Sequence, residues 1–188
     1  MAGGKGTRLR PLTDTVPKLL VTINNKALLD YLIEHLKNGT RVLKSRNVTG
    51  AFEAIDRRDF VESGFDSEAY EDYPLPIGHG QTISQPTTVA FMLELLHVHE
   101  GHRVLDVGSG SGWTTALLSH IVGKHGEIIG VERIPELVMF GAKNLARYHF
   151  SHARIIEALT NVFGYPDAGP YDRILVSAGA SHIPPDLV

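Results

Sequence analysis

The 188-residue chain contains no cysteine, which excludes disulfides, thiolate metal sites and cysteine nucleophiles. Such a composition suits a reducing compartment, and the cytoplasm is the expected location. No apolar run reaches the roughly 18 residues of a membrane span, and no signal-peptide pattern is recognisable. An excess of one charge is also missing. With 18 Lys and Arg against 21 Asp and Glu the formal net charge is −3, which gives no case for a nucleic-acid or anionic-membrane surface, and neither partner is expected. Metal-ligand spacing is absent too. Among the ten histidines, His97 with His99 and His149 with His152 are close pairs, but no third ligand stands beside either, so no metal site is expected. Asn47-Val48-Thr49 matches a glycosylation sequon by chance.

What is present is organised around Val104 to Gly112, V-L-D-V-G-S-G-S-G. A hydrophobic run ends in Asp106 and Val107, three glycines follow at alternate positions, and Trp113 to Val122 has helical periodicity. Strand, tight turn and helix start in that order present backbone N–H groups to a nucleotide-like ligand. The usual dinucleotide fingerprint spaces its last two glycines three apart, whereas Gly110 and Gly112 are two apart, which favours another adenosine-containing ligand over nicotinamide or flavin. The glycines are expected to leave room for that ligand.

Upstream, apolar positions 28, 29, 32, 33 and 36 predict a helix over Ala27 to Leu36, stopped by Asn38-Gly39. Arg41 to Phe65 is expected to be helical in its middle, with Val48, Phe52 and Ile55 on one face and Asp56 to Asp59 as a charged segment. Three prolines and two glycines in E-D-Y-P-L-P-I-G-H-G-Q-T-I-S-Q-P, 71–86, preclude a long regular element. An ordered loop is expected there, with Gln81, Thr82 and Ser84 as a substrate wall. Pro86 suits a first helical turn, and Val89, Met92, Leu93 and Leu96 make an amphipathic helix ending near His97.

Downstream, Glu127 to Glu132 reads as a second strand, Pro135 to about Tyr148 as a helix, and Ala153 to Glu157 and Asp172 to Val176 as a third and fourth strand. Strands separated by helical crossovers predict a doubly wound, mainly parallel α/β sheet in which the first and fourth strands are neighbours, with the ligand crevice at their carboxyl ends. Glu132, 24 residues beyond Gly108, is placed to accept both ribose hydroxyls of an adenosine ligand. Since the sequence stops at Val188, a sheet incomplete at its C-terminus is expected, with Asp172 to Val176 as an open apolar edge available for self-association.

Two resemblances are carried by these residues. Gly3 to Thr13, G-G-K-G-T-R-L-R-P-L-T, with Pro17-Lys18, resembles the phosphate-binding opening of sugar-nucleotide pyrophosphorylases, but only Met1-Ala2 precede the glycines where that family has a buried strand. Residues 1–26 are therefore expected to be an arm or a fusion-like segment, and nucleotidyl transfer is a remote alternative. Residues 50–188 resemble protein-L-isoaspartate (D-aspartate) O-methyltransferases, most specifically in L-P-I-G-H-G-Q-T-I-S-Q-P at 75–86. Support comes from L-D-V-G-S-G-S-G, G-V-E-R-I-P-E-L at 130–137, P-Y-D-R-I at 170–174 and S-A-G-A-S-H-I-P at 177–184.

That resemblance implies a class I methyltransferase fold over residues 27–188, with leading helices and signature loop in 27–85 and an α/β core in 86–188. It also implies methyl transfer from S-adenosyl-L-methionine, leaving S-adenosyl-L-homocysteine, to the carboxyl group of isoaspartyl residues in damaged peptides and proteins. Ser84 matches the active-site serine. Thr82, Ile83 and Ser84 match the segment beside the methyl donor, while Asp106, Gly108, Ser109, Gly110, Ser111 and Gly112 match the strand end and loop around its methionine portion. Glu132 and Arg133 match the ribose side, and Ile77, His79, Thr82 and Ser84 the acceptor side. The family's G-D-G triplet is replaced by Leu159, Thr160 and Asn161, so Thr160 stands where an acid would meet the adenine and brings no charge. A non-catalytic adenosine-binding or assembly module with the same fold is the alternative from another class.

Overall fold

A computed structural model describes residues 28–179 in full and the backbone of 22–23 and 26–27. The Gly3 to Lys18 segment and the 180–184 part of the last motif lie outside the described residues. A short antiparallel ribbon, β1 (Thr22–Ile23) with β2 (Lys26–Ala27), spans the expected 26/27 boundary and leads into α1 (Leu28–Glu34). A π-helical turn, His35–Gly39, follows it. The 41–65 stretch divides in two: α2 (Arg46–Ala54), then a 3₁₀ turn (Arg57–Phe60). Val48, Phe52 and Ile55 are buried together as the periodicity requires. Glu94 holds the start of α2, its Oε1 accepting from the backbone N–H of Lys44 and Ser45 and from the Ser45 hydroxyl at 2.8, 2.8 and 3.0 Å.

The 71–86 stretch forms a tight hairpin, β3 (Leu75–Pro76) antiparallel to β4 (Thr82–Ile83), and α3 (Pro86–Leu96) begins at the expected proline. Then come β5 (Arg103–Val107), α4 (Trp113–Val122), β6 (Glu127–Glu132), α5 (Pro135–Ala146), β7 (Ala153–Glu157) and β8 (Arg173–Val176). The four strands are parallel in the order β7-β6-β5-β8. The first and fourth strands of the core are thus neighbours, and the chain reverses direction across the sheet at β5. In open parallel sheets that reversal opens the crevice in which ligands bind.

β6 reads I-I-G-V because it is paired on both edges and covered on both faces, which removes the polar alternation of a half-exposed strand. α4 is likewise buried almost all round, since it lies between the sheet and the leading helices. Among the described residues β8 is an edge strand, with Leu175 buried and Val176 exposed. No helix among the described residues is long and apolar enough to cross a membrane.

Candidate active site

The β5–α4 turn places Gly108 to Gly112 at the carboxyl end of the sheet. Gly108 and Ser109 donate their N–H groups to the Val131 carbonyl at 2.8 and 3.1 Å, and Gly112 donates to Ser109 O at 2.8 Å. Gly112 has φ +86°, and a Cβ there would come within 2.9 Å of the Gly141 carbonyl oxygen. The room left at this glycine is therefore taken by α5 and not by a ligand, a correction to the reading of the glycines as ligand space. Asn144 of α5 fixes the same contact by donating Nδ2–H to the Ser111 carbonyl at 3.1 Å.

Asp106 also differs from its expected place beside a cofactor. Its side chain is fully buried beneath the loop, where Oδ2 accepts from the Thr114 and Thr115 hydroxyls at 2.7 Å each and Oδ1 has no partner among the described residues. It ties the first turn of α4 to β5. Burial raises its pKa to about 6, against the partial relief of the two threonine hydrogen bonds. An acid whose folded pKa lies above its unfolded value of about 3.9 contributes stability that is present in full below pH 4 and is lost as pH rises through 6. Two pKa units correspond to on the order of 3 kcal/mol. Between pH 4 and pH 7 the unfolding free energy of the parent should therefore fall relative to Asp106→Asn by about 2–3 kcal/mol. Denaturant unfolding at the two pH values checks this, and a pH-independent difference contradicts it.

Above the loop lies a cleft of about 690 Å³. Ile77, Gln81 and Thr82 of the hairpin line one side, Gly108 and Gly110 the floor, and Glu132 with Arg133 the middle. Its far end is the 157–164 segment, including Thr160 and the exposed Leu159 and Phe163. The Glu132 carboxylate accepts from the backbone N–H of Arg133 and Ile134 on Oε1 at 2.7 and 3.0 Å, and of Gly110 on Oε2 at 3.0 Å. A carboxylate has about four acceptor positions, so one remains open. That position faces no backbone donor and is free for a hydroxyl of a ligand.

A second, smaller hole of about 40 Å³ adjoins the cleft through Thr82, Gly108, Gly110 and Ser177. Ile83 and Ser84 line it from the hairpin, and Ser109, Ser111 and Trp113 from the loop and α4. Ser109 and Ser111 thus border the hole and not the main cleft. His79 sits exposed at the tip of the hairpin with φ +52° and lines neither space.

Sequence reasoning missed Arg57. This residue of the 3₁₀ turn is buried, with Nη1–H groups donated to the carbonyls of Ala69 and Glu71 at 2.9 and 3.2 Å and Nη2–H groups to those of Tyr73 and Ser84 at 3.0 and 3.1 Å. Its Cζ lies 5.3 Å from the Trp113 ring centroid. Burial pulls its pKa down to about 10, so it stays charged at neutral pH. One side chain therefore holds the approach to the hairpin, the Ser84 backbone and the Trp113 ring in fixed relation. Asp56 fixes the turn itself by accepting from Arg58 N–H at 3.0 Å and from the Tyr70 hydroxyl.

These features coincide with a clear sequence relationship. The profile of the protein-L-isoaspartate (D-aspartate) O-methyltransferase family matches residues 24–188. The chain belongs to this family. The protein-L-isoaspartate O-methyltransferase of Methanopyrus kandleri is 44% identical over 161 residues, covering 85% of this chain and 70% of its own length. That of Methanothrix thermoacetophila is 44% identical over 158 residues, with 84% and 73% covered. Among solved structures, a Plasmodium falciparum chain assigned as a protein-L-isoaspartate O-methyltransferase, in complex with S-adenosyl-L-homocysteine, superposes with a TM-score of 0.73 at 30% identity, covering 84% of this chain and 76% of its own. Another protein-L-isoaspartate O-methyltransferase gives 0.74 at 28% identity, and there the match spans 50% of the longer chain. The parallel sheet flanked by helices is the class I methyltransferase fold of that family.

Proposed function

We propose that this chain catalyses methyl transfer from S-adenosyl-L-methionine to the free carboxyl group of L-isoaspartyl residues in peptides and proteins. The observation that carries the reading is the joining of two spaces at one loop. A long cleft with an acid at its middle meets a small polar hole bordered by Ser84, and both share Gly108 and Gly110. The residues fit the cofactor: Glu132 keeps one acceptor position for a ribose hydroxyl, and Gly108 and Gly110 line the cleft with backbone alone. Thr160 and the apolar Leu159 and Phe163 would border the base.

When bound, S-adenosyl-L-methionine supplies an electrophilic methyl group and its own leaving group. The acceptor carboxylate is already a nucleophile, so no general base is needed. The chain's task is to hold the two in line and to keep water out, which can supply a large part of the rate enhancement. Ile77, buried next to the hairpin's turn, walls the cleft, and the Ser84 hydroxyl orients the carboxylate. Ser84→Ala should lower turnover on an isoaspartyl peptide at least about tenfold while S-adenosyl-L-homocysteine affinity stays within about threefold. Radiolabel transfer and calorimetry give the two readings. Equal turnover in variant and parent would remove Ser84 from the mechanism.

A further inference from the structure

Asn38-Gly39 closes the π-helical turn that follows α1, and it is the one Asn-Gly pair of the sequence, which holds no Asp-Gly. The pair has a chemistry of its own. The backbone nitrogen of the residue after an asparagine can attack the side-chain carboxamide, and a glycine there has no Cβ to shield that nitrogen or to restrict the backbone that must bend around it. The bond from Asn38 Cγ to the Gly39 nitrogen forms as the bond to Nδ2 breaks, and the amide proton leaves with Nδ2 as ammonia. Water then opens the five-membered imide. Attack at Cγ gives an aspartyl residue, whereas attack at the main-chain carbonyl carbon of residue 38 leaves the chain running through Cγ, an isoaspartyl residue with a free α-carboxylate.

The structure favours the reaction at this place. Asn38 and Gly39 are both exposed, and no hydrogen bond holds the Asn38 carboxamide among the described residues. The turn also ends a helix. Thr40 N–H donates to the His35 carbonyl at 2.9 Å, and by Arg41, with φ +58°, the chain has left helical geometry. Helix ends open at the least cost, so the backbone at 38 and 39 can reach the arrangement that closes the imide.

The surroundings give the damage a consequence. A Cβ on Gly39 would stand 2.8 Å from His35 Nδ1, so the imidazole fills the space beside this glycine. The Nε2 of the same ring lies 3.2 Å from Asp72 Oδ2, and Asp72 accepts from the Thr87 N–H and hydroxyl at 2.9 and 2.6 Å at the start of α3. An isoaspartyl residue adds one carbon to the main chain at 38 and shifts Gly39 beneath that ring, where the leading helix meets the segment that carries the hairpin. We propose that Asn38-Gly39 is a site of spontaneous isoaspartate formation, and that an aged chain is thereby a protein substrate for intact copies of itself. The second half rests on the methyl-transfer reading and names a substrate for it; the first half does not.

The test begins with chain aged at physiological pH and temperature. A glutamate-specific protease, used at mildly acid pH to spare methyl esters, releases 35–53 as one peptide. Electron-transfer fragmentation should place isoaspartate at 38. The aged chain is then offered, with radiolabelled S-adenosyl-L-methionine, to fresh Asn38→Gln chain, whose turnover on a synthetic isoaspartyl peptide should equal the parent's. Base-labile label is expected on the 35–53 peptide of the aged chain, rising with the amount of fresh enzyme. It should be lost when Asn38→Gln chain is aged in place of the parent, because glutamine must close a six-membered ring and does so far more slowly. Absence of isoaspartate at 38 overturns the proposal. So does isoaspartate at 38 that stays unlabelled while the synthetic peptide is labelled. If the synthetic peptide is left unlabelled as well, the methyl-transfer reading has failed and the second half falls with it, while the mapping still decides the damage site.

Discussion

Arg57→Ala should lower the unfolding free energy by at least about 3 kcal/mol and abolish methyl transfer. The substitution strips hydrogen bonds from the carbonyls of Ala69, Glu71, Tyr73 and Ser84 in one step and leaves a cavity against Trp113. Each buried carbonyl left unpaired costs about 1–3 kcal/mol, although water entering the cavity offsets part of that. Against a total stability of about 5–15 kcal/mol, the remaining margin is small. Arg57→Lys separates charge from geometry. An ammonium keeps the charge but cannot span four carbonyls as the planar guanidinium does, so a loss of about 2 kcal/mol is still expected. Chemical denaturation measures both variants, and a lysine variant within 0.5 kcal/mol of the parent would show that the charge alone matters.

Glu132 gives the second large effect. Glu132→Ala should weaken S-adenosyl-L-homocysteine binding by about 1.5–3 kcal/mol, the usual range for a lost charged hydrogen bond. The geometry adds a sharper expectation. Both carboxylate oxygens already accept from backbone N–H groups, Oε1 from Arg133 and Ile134 and Oε2 from Gly110. In Glu132→Gln one amide nitrogen must face an N–H whichever way the side chain is flipped, so glutamine should behave nearly as badly as alanine. Calorimetric titration of folded variants decides it. An affinity for Glu132→Gln close to the parent's contradicts this account of the acid.

The reach of the sequence can be argued from the same residues. The core from β5 to β8 was legible because its signals are local: an apolar run, glycines at a turn, prolines at helix starts and crossovers long enough for helices. Strand order followed from connectivity. Arg57 was not legible, since D-R-R-D-F reads as a solvated face, and what buries its first arginine is a set of carbonyls 12 to 27 positions away. Trp113 read as one more apolar helix position, because its place beside the Arg57 guanidinium is a property of tertiary packing. Gly112 was correctly marked as special but for the wrong neighbour, α5 being invisible to a local pattern. Asp106 is matched by motif position alone, and its burial under the loop takes its side chain away from the cleft, while His79 stands exposed at the hairpin tip.

The central claim is most directly tested by offering the purified chain radiolabelled S-adenosyl-L-methionine with two peptides that differ only in whether one residue is isoaspartyl or aspartyl. The account predicts base-labile methyl ester formation on the isoaspartyl peptide and none above background on its aspartyl twin. Binding of S-adenosyl-L-homocysteine without transfer to either peptide, or equal transfer to both, would contradict it.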